Sequence, residues 1–215
     1  MSITAADIAK LRAQTGAGML DCKKALEEAE GNFDKAVELL RTRGIAKAAK
    51  RAGKIAAEGA VVSYIHGAGK VGVLVEVNSE TDFVAKNEQF QEIAKDIALH
   101  IAAAAPKYVS REEVQAEELE KEKTLFAEEM KNEGKPAEII EKIVAGKIDK
   151  FYSEICLMEQ AFIKDEDKTI EQLLTEKTGE IGEKIAVRRF TRYELGEGIE
   201  KQEKSFAQEV EEQIS

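Results

Sequence analysis

Gly67-Ala68-Gly69-Lys70-Val71-Gly72 has the letter spacing of a dinucleotide-binding loop, G-x-G-x-x-G. That chemistry requires the glycines to open a helix whose N-terminus faces a pyrophosphate. A β-branched run follows instead, so the glycines read as turn residues. No G-x-x-x-x-G-K-S/T is present, which argues against a P-loop nucleotide enzyme. The two histidines are isolated, His66 at the turn and His100 beside the apolar face of a helix, and both read as structural or solvated. Cys22 and Cys156 have neither a CxxC partner nor a nearby His, as expected of buried thiols in a reducing compartment. With no His/Cys/Asp cluster at ligand spacing, metal binding and nucleophilic catalysis lack support. Carboxylate pairs are uninformative in a chain with 42 acidic residues. The expectation is a protein that is not an enzyme and uses no cofactor and no metal.

Two segments ask for more than a fold. Asn78-Ser79-Glu80-Thr81-Asp82-Phe83-Val84-Ala85-Lys86-Asn87 connects a strand to a helix. Capping types are ordinary there, but an aromatic in their midst is not. Phe83 either tucks into the core at a helix start or is presented as an anchor to a partner. Thr15-Gly16-Ala17-Gly18-Met19-Leu20-Asp21-Cys22-Lys23-Lys24-Ala25-Leu26 has a Gly-rich turn that leaves Met19 and Leu20 near a loop tip. They serve as core or as an exposed apolar contact.

The elements that must position these residues are mostly helical. Among 215 residues, 34% are charged, 6% are aromatic and two are proline, a composition dominated by helix formers. The net charge of −10 disfavours a nucleic acid as the main partner, because phosphate binding needs a basic face. A basic stretch does occur, Arg41, Arg43, Lys47, Lys50, Arg51 and Lys54, and reads first as a solvated linker helix. The N-terminus shows no apolar or Arg-rich presequence, and no apolar run approaches the ~20 residues of a membrane span. A cytoplasmic protein is expected.

Along the chain, residues 1–54 are expected to form a module of three short helices with a linker. Thr4 and Asp7 suggest a capping box for the first, Gly31 ends the second, and Asn32 caps a third that Gly44 should close. The region 55–215 then changes period. Strands are expected near 60–65 and 71–77 as a hairpin, with a third near 185–195 returning to pair with it. Asn87 should begin an amphipathic helix with Phe90, Ile93, Ala94, Ile97 and Ile101 on one face, ended by Pro106. Ser110 and Glu113 suggest a second capping box, opening a helical-hairpin insertion over 110–158. Thr169 and Gln172 cap a short helix, and a last amphipathic helix carries Phe206, Val210 and Gln213. The fold class is α+β: a three-helix bundle, then a small antiparallel sheet covered by helices.

The two singled-out segments, together with Arg189-Phe190-Thr191-Arg192-Tyr193-Glu194-Leu195-Gly196-Glu197-Gly198-Ile199-Glu200-Lys201, resemble three motifs of the elongation factor Ts family, in the family's order. Leu20 departs conservatively, since some members carry a second Met there. The resemblance implies a guanine-nucleotide exchange factor for elongation factor Tu, whose first three helices are ubiquitin-associated-like. It implies that Arg12, Met19, Leu20 and Lys23 dock on the GTPase domain. It also implies that Thr81, Asp82, Phe83 and Val84 form an intruding element: Phe83 wedges between two helices, and Asp82 makes polar contacts beside it. The wedge dislodges Mg²⁺, and GDP leaves. Longer members carry two related core halves, whereas one hairpin-plus-helix unit is found here, the short form. Its single sheet leaves an open edge through which two copies could pair as a homodimer. Two other readings remain: a ubiquitin-associated-type adaptor with a passive core, and an RNA-binding accessory using residues 41–54.

Overall fold

The structure is a computed structural model and describes residues 3–199. The expected closing helix with Phe206, Val210 and Gln213 lies outside the described residues.

The chain opens with α1 (Ala5–Thr15), α2 (Met19–Glu28) and α3 (Phe33–Arg51). The first is capped as its sequence predicts: the Asp7 amide donates to Thr4 Oγ1 at 3.2 Å, and the Thr4 amide donates to Asp7 Oδ2 at 3.0 Å. Asn32 caps α3 by accepting from the Lys35 amide. Leu11, Cys22, Ala25, Leu26, Ala36 and Leu40 face inward and make the bundle's small core. The two thiols are buried and free, and burial pushes that of Cys156 up to about 11.

Gly44 does not close α3. The helix runs on to Arg51 and absorbs the stretch expected to be a linker. A helix-interior glycine costs roughly 1 kcal/mol relative to Ala; at Gly44 an added Cβ would meet only Gly179 Cα at 3.9 Å, so the tight requirement falls on the facing helix. There α3 crosses α8 (Ile170–Ile181) at Gly179, where an added Cβ would stand 2.6 Å from Gly44 Cα. Backbone meets backbone, and this contact mounts the bundle on the rest of the molecule.

The hairpin of β1 (Glu58–His66) and β2 (Val71–Ser79) pairs antiparallel from Glu58↔Ser79 to His66↔Val71, both strands running somewhat longer than expected. The returning strand β5 (Ala186–Glu194) pairs antiparallel with β2, giving the order β1-β2-β5. On one face Val73, Val75, Val77 and Val187 meet α5 (Glu88–Ala104), whose Phe90, Ile93, Ala94, Ile97 and Ile101 all point inward as the periodicity predicts. Burying such a side chain is worth about 1.5–3 kcal/mol, so this layer supplies most of the hydrophobic stabilisation. His100, on the same helix, is fully buried. Its Nε2 lies 3.0 Å from Gln160 Oε1 and its Nδ1 accepts from the Ile163 amide, so it is a structural connector.

The insertion is a hairpin of α6 (Ala116–Asn132) and α7 (Ala137–Ile155), thinly packed through Met130, Ile140 and Ile148. Its entrance departs from the expected capping box. Residues 111–113 form a single 3-10 turn, and Glu113 bends back to accept from the Val109 amide at 2.8 Å. That carboxylate is therefore not free to cap a helix, and α6 starts only at Ala116. A short ribbon of β3 (Ala161–Phe162) and β4 (Asp165–Thr169) was not anticipated, since Asp165–Thr169 is charged and lacks apolar alternation. Thr169 and Gln172 form the predicted capping box of α8. Among the described residues no helix is long and apolar enough to cross a membrane.

Candidate functional site

Between β2 and α5 lies α4 (Asp82–Ala85), a single helical turn. Four residues are far too few for a helix to hold itself, because nucleation is costly and each turn leaves its end groups unpaired. Its polar groups are accordingly held from outside. Thr81 stands at the N-cap and its Oγ1 accepts from the Val84 amide at 3.4 Å. Ser79, fully buried, donates its hydroxyl to Thr81 O at 2.9 Å. Gln91 on α5 donates to Ala85 O at 2.7 Å. Ala85 is buried and Val84 packs against the main core, so the inner side of the turn is anchored by apolar contact.

Phe83 points the other way and is 81% exposed. The core alternative for this residue is thereby excluded, and the aromatic ring is presented to solvent. Asp82 beside it forms an ion pair with Lys86 at 2.7 Å. The Lys86 hydrogen bond and charge hold the Asp82 carboxyl below the usual carboxylate range, and the same pair raises Lys86. Both groups are solvated, so the pair orients the surface more than it stabilises the fold.

Two glutamates stitch this turn to distant chain. Glu183, in the connection from α8 to β5, accepts from the Thr81 amide at 3.0 Å and from the Thr81 hydroxyl at 2.8 Å. Glu80 reciprocates, accepting from the Lys184 amide at 2.8 Å through one oxygen and from Arg51 Nη1 at 2.8 Å through the other. The Lys184 amide and the Arg51 charge hold the Glu80 carboxyl below its ordinary value. Lys184 in turn donates its ammonium to Ala52 O and Lys54 O. The end of α3 and the Phe83 turn are thus tied to one connection. Sequence reading missed Glu183, and no local signal marks it, since its partner is 102 positions away.

The second set of expected residues lies on the bundle. Arg12 is exposed on the last turn of α1. Met19 and Leu20 begin α2 at 46% and 67% exposure, while Cys22, Ala25 and Leu26 take its inner side. Lys23, one turn on from Met19, is exposed and pairs with Glu27. Met19, Leu20 and Lys23 therefore share one solvent-facing stretch, apolar with a cation at its edge. The basic stretch of α3 is partly neutralised within the chain, Arg43 by Glu28, Lys47 by Asp21 and Arg51 by Glu80.

On the sheet face turned away from α5, Val61, Ile65, Leu74 and Tyr193 are exposed. Gly72, near the turn end of β2, sits between Ile65 and Tyr193 in the strand register, with the Ile65 side chain over it, and further along the same face Glu76 pairs with Arg189.

Comparison with known proteins covers the whole of this architecture. The family model described as Elongation factor TS matches residues 4–197. The chain is 62% identical over 215 residues to Elongation factor Ts of Alkaliphilus oremlandii, covering 100% of this chain and 99% of that protein. It is 60% identical over 213 residues to Elongation factor Ts of Acetivibrio thermocellus, covering 99% of each. To Elongation factor Ts of Geobacter sulfurreducens it is 60% identical over 210 residues, covering 98% of this chain and 97% of that protein. With the family model over residues 4–197 and these relatives aligned along its whole length, the chain belongs to the elongation factor Ts family.

Proposed function

We propose that this chain is a guanine-nucleotide exchange factor for elongation factor Tu in translation elongation. It binds both the GDP-loaded and the nucleotide-free GTPase in the cytoplasm, and it is a binding factor, not an enzyme in its own right. Family membership supports the partner, and the observation that carries the mechanism is Phe83, an exposed aromatic on a rigidly held turn. Thr81, Asp82, Phe83 and Val84 form the intruding element. The ring wedges between two helices of the GTPase domain and displaces groups that hold Mg²⁺. Without its counter-charge GDP is released. Asp82 supplies polar contacts beside the ring, and Arg12, Met19, Leu20 and Lys23 dock the bundle.

Magnitude requires both surfaces. Burying one Phe yields about 1.5–3 kcal/mol, one to two decades of equilibrium constant at about 1.4 kcal/mol each. Expelling a tightly held nucleotide takes more, so the bundle contributes binding energy that the wedge converts into release. Reciprocity follows: a factor that weakens GDP must be weakened by GDP to the same extent. The test is binding of the factor to empty and to GDP·Mg²⁺-loaded elongation factor Tu. Weaker binding to the loaded form is expected, and equal affinity would sink the exchange reading. Leu20→Ala should weaken association with either form while leaving the wedge in place. No direct nucleic-acid contact is part of this function, in keeping with the net charge and the ion pairs along α3.

The outer sheet face supports one further part of this reading, a homodimer. Its exposed Val61, Ile65, Leu74 and Tyr193 suit packing against a second, identical sheet about 10 Å away. Sedimentation should report a dimer that Leu74→Asp converts to monomer. A chain that is monomeric at high concentration would remove the homodimer without touching exchange.

A further inference from the structure

The ring of Phe83 makes its approach to a partner from a turn that cannot form alone. Its direction is therefore set by whatever holds the backbone of residues 81–85. The N-terminal end of that turn depends on Thr81, whose hydroxyl must turn a lone pair toward the Val84 amide. Glu183 enforces that orientation: by accepting the hydroxyl proton at 2.8 Å it leaves Oγ1 as the acceptor for Val84. The same carboxylate takes the Thr81 amide at 3.0 Å, fixing the residue at two points. Glu183 itself sits in a connection held on both sides: the Gly182 amide donates to Thr178 O at 2.9 Å before it, and after it the Lys184 amide is bound by Glu80 and the Ile185 amide donates to Thr178 Oγ1 at 3.1 Å.

We propose that Glu183 is a positioning residue for nucleotide exchange, which holds the Phe83 turn in its partner-ready form by gripping Thr81. The proposal rests on the wedge reading of Phe83 and adds what makes the wedge stiff. A turn that had to order itself on contact would lose part of the binding energy to conformational entropy, whereas a pre-ordered turn delivers it to the GTPase. Through Glu80, Arg51 and Lys184, the same connection links the turn to the end of α3, the last helix of the docking bundle.

Full-length Glu183→Ala, Glu183→Gln, Phe83→Ala and the double Phe83→Ala/Glu183→Ala provide the test. In the free protein, amide hydrogen exchange of residues 82–86 should quicken in Glu183→Ala while the melting temperature moves little; unchanged exchange would overturn the clamp. With elongation factor Tu carrying a fluorescent GDP analogue, Glu183→Ala should slow maximal release roughly ten-fold, within the range of coupling between contacting residues. Glu183→Gln should recover part of the rate, because its side-chain oxygen can still accept the Thr81 hydroxyl proton while the contact to the Thr81 amide is lost. In the Phe83→Ala background, Glu183→Ala should cost nothing further, since it acts through the ring. A full additional loss there would mean an independent role and would overturn the proposal. Slow release by Phe83→Ala with parental release by Glu183→Ala sinks the clamp alone, whereas parental release by Phe83→Ala sinks the wedge reading beneath it. Should Glu183→Ala fail to fold, Glu183→Asp, which leaves the Thr81 cap intact and draws the carboxylate back by one methylene, carries the same cycle.

Discussion

Phe83 and Phe90 occupy one short stretch of chain, belong to the same residue type, and have opposite fates. Phe90 is wholly buried between α5 and the sheet, whereas Phe83 is 81% exposed. Hydrophobicity cannot separate them. Periodicity does: Phe90 belongs to a stripe with Ile93, Ala94, Ile97 and Ile101, and a ring in that stripe must face the sheet. Phe83 belongs to no stripe, and its neighbours Val84 and Ala85 take the inward positions of a single turn. An apolar residue held out of the core by a backbone that is itself tightly held is the observation on which the proposed wedge rests.

The sharpest way to break this comparison is to truncate both rings. Phe90→Ala should destabilise the free protein by about 3–5 kcal/mol, read as a large fall in melting temperature. Phe83→Ala should barely move that temperature, yet slow catalysed GDP release by roughly ten- to a hundred-fold, the equivalent of one buried Phe. A large drop in stability with near-normal release would reverse the two assignments. Asp82→Ala should give a milder defect in release, since it leaves the ring in place.

A smaller effect tests how the bundle is mounted beside the turn. Gly179→Ala puts a methyl carbon 2.6 Å from Gly44 Cα, backbone against backbone, so α3 and α8 must part. The expected cost is about 1–3 kcal/mol, as for other overpacked sites. Gly44→Ala meets nothing nearer than 3.9 Å and should be neutral or gain about 1 kcal/mol from helix propensity. Equal effects of the two substitutions would show that the crossing is looser than drawn.

Much of this was legible in the sequence because it is periodic or local. The caps at Thr4, Asn32 and Thr169, the apolar stripe of α5 and the three strands of the sheet follow from spacing alone. What was not legible depends on distant partners. Gly44 looks like a helix stop until Gly179 is seen against it, and Glu113 looks like a cap until Val109 takes its carboxylate. At the candidate site, Phe83 stands out in the sequence as an aromatic among capping residues, while the roles of Thr81, Asp82 and Phe83 come from the resemblance. Glu183, which holds them, carries no local pattern and becomes visible only when the chain folds.

The gentlest way to sharpen the comparison is pH, because the two regions titrate differently. His100 is buried on α5, and desolvation lowers its pKa below the ordinary 6.5, with the Gln160 hydrogen bond opposing in part. The unfolded chain therefore takes up this proton before the folded one does. The stability associated with neutral His100 is fully present above the unfolded value and is lost as pH falls through it toward the folded value. At the Phe83 turn, Asp82 is shifted down from 3.8 and Lys86 up from 10.5, so both stay charged across the same interval. Between pH 7.5 and 5.5 the free protein should lose some melting temperature, and His100→Gln should flatten that loss. Hydrogen exchange at residues 82–86, corrected for its intrinsic pH dependence, should not change over this interval. A turn that loosened in step with the core would show that Phe83 and Phe90 belong to one cooperative unit, with the outward ring sharing the fate of the inward one.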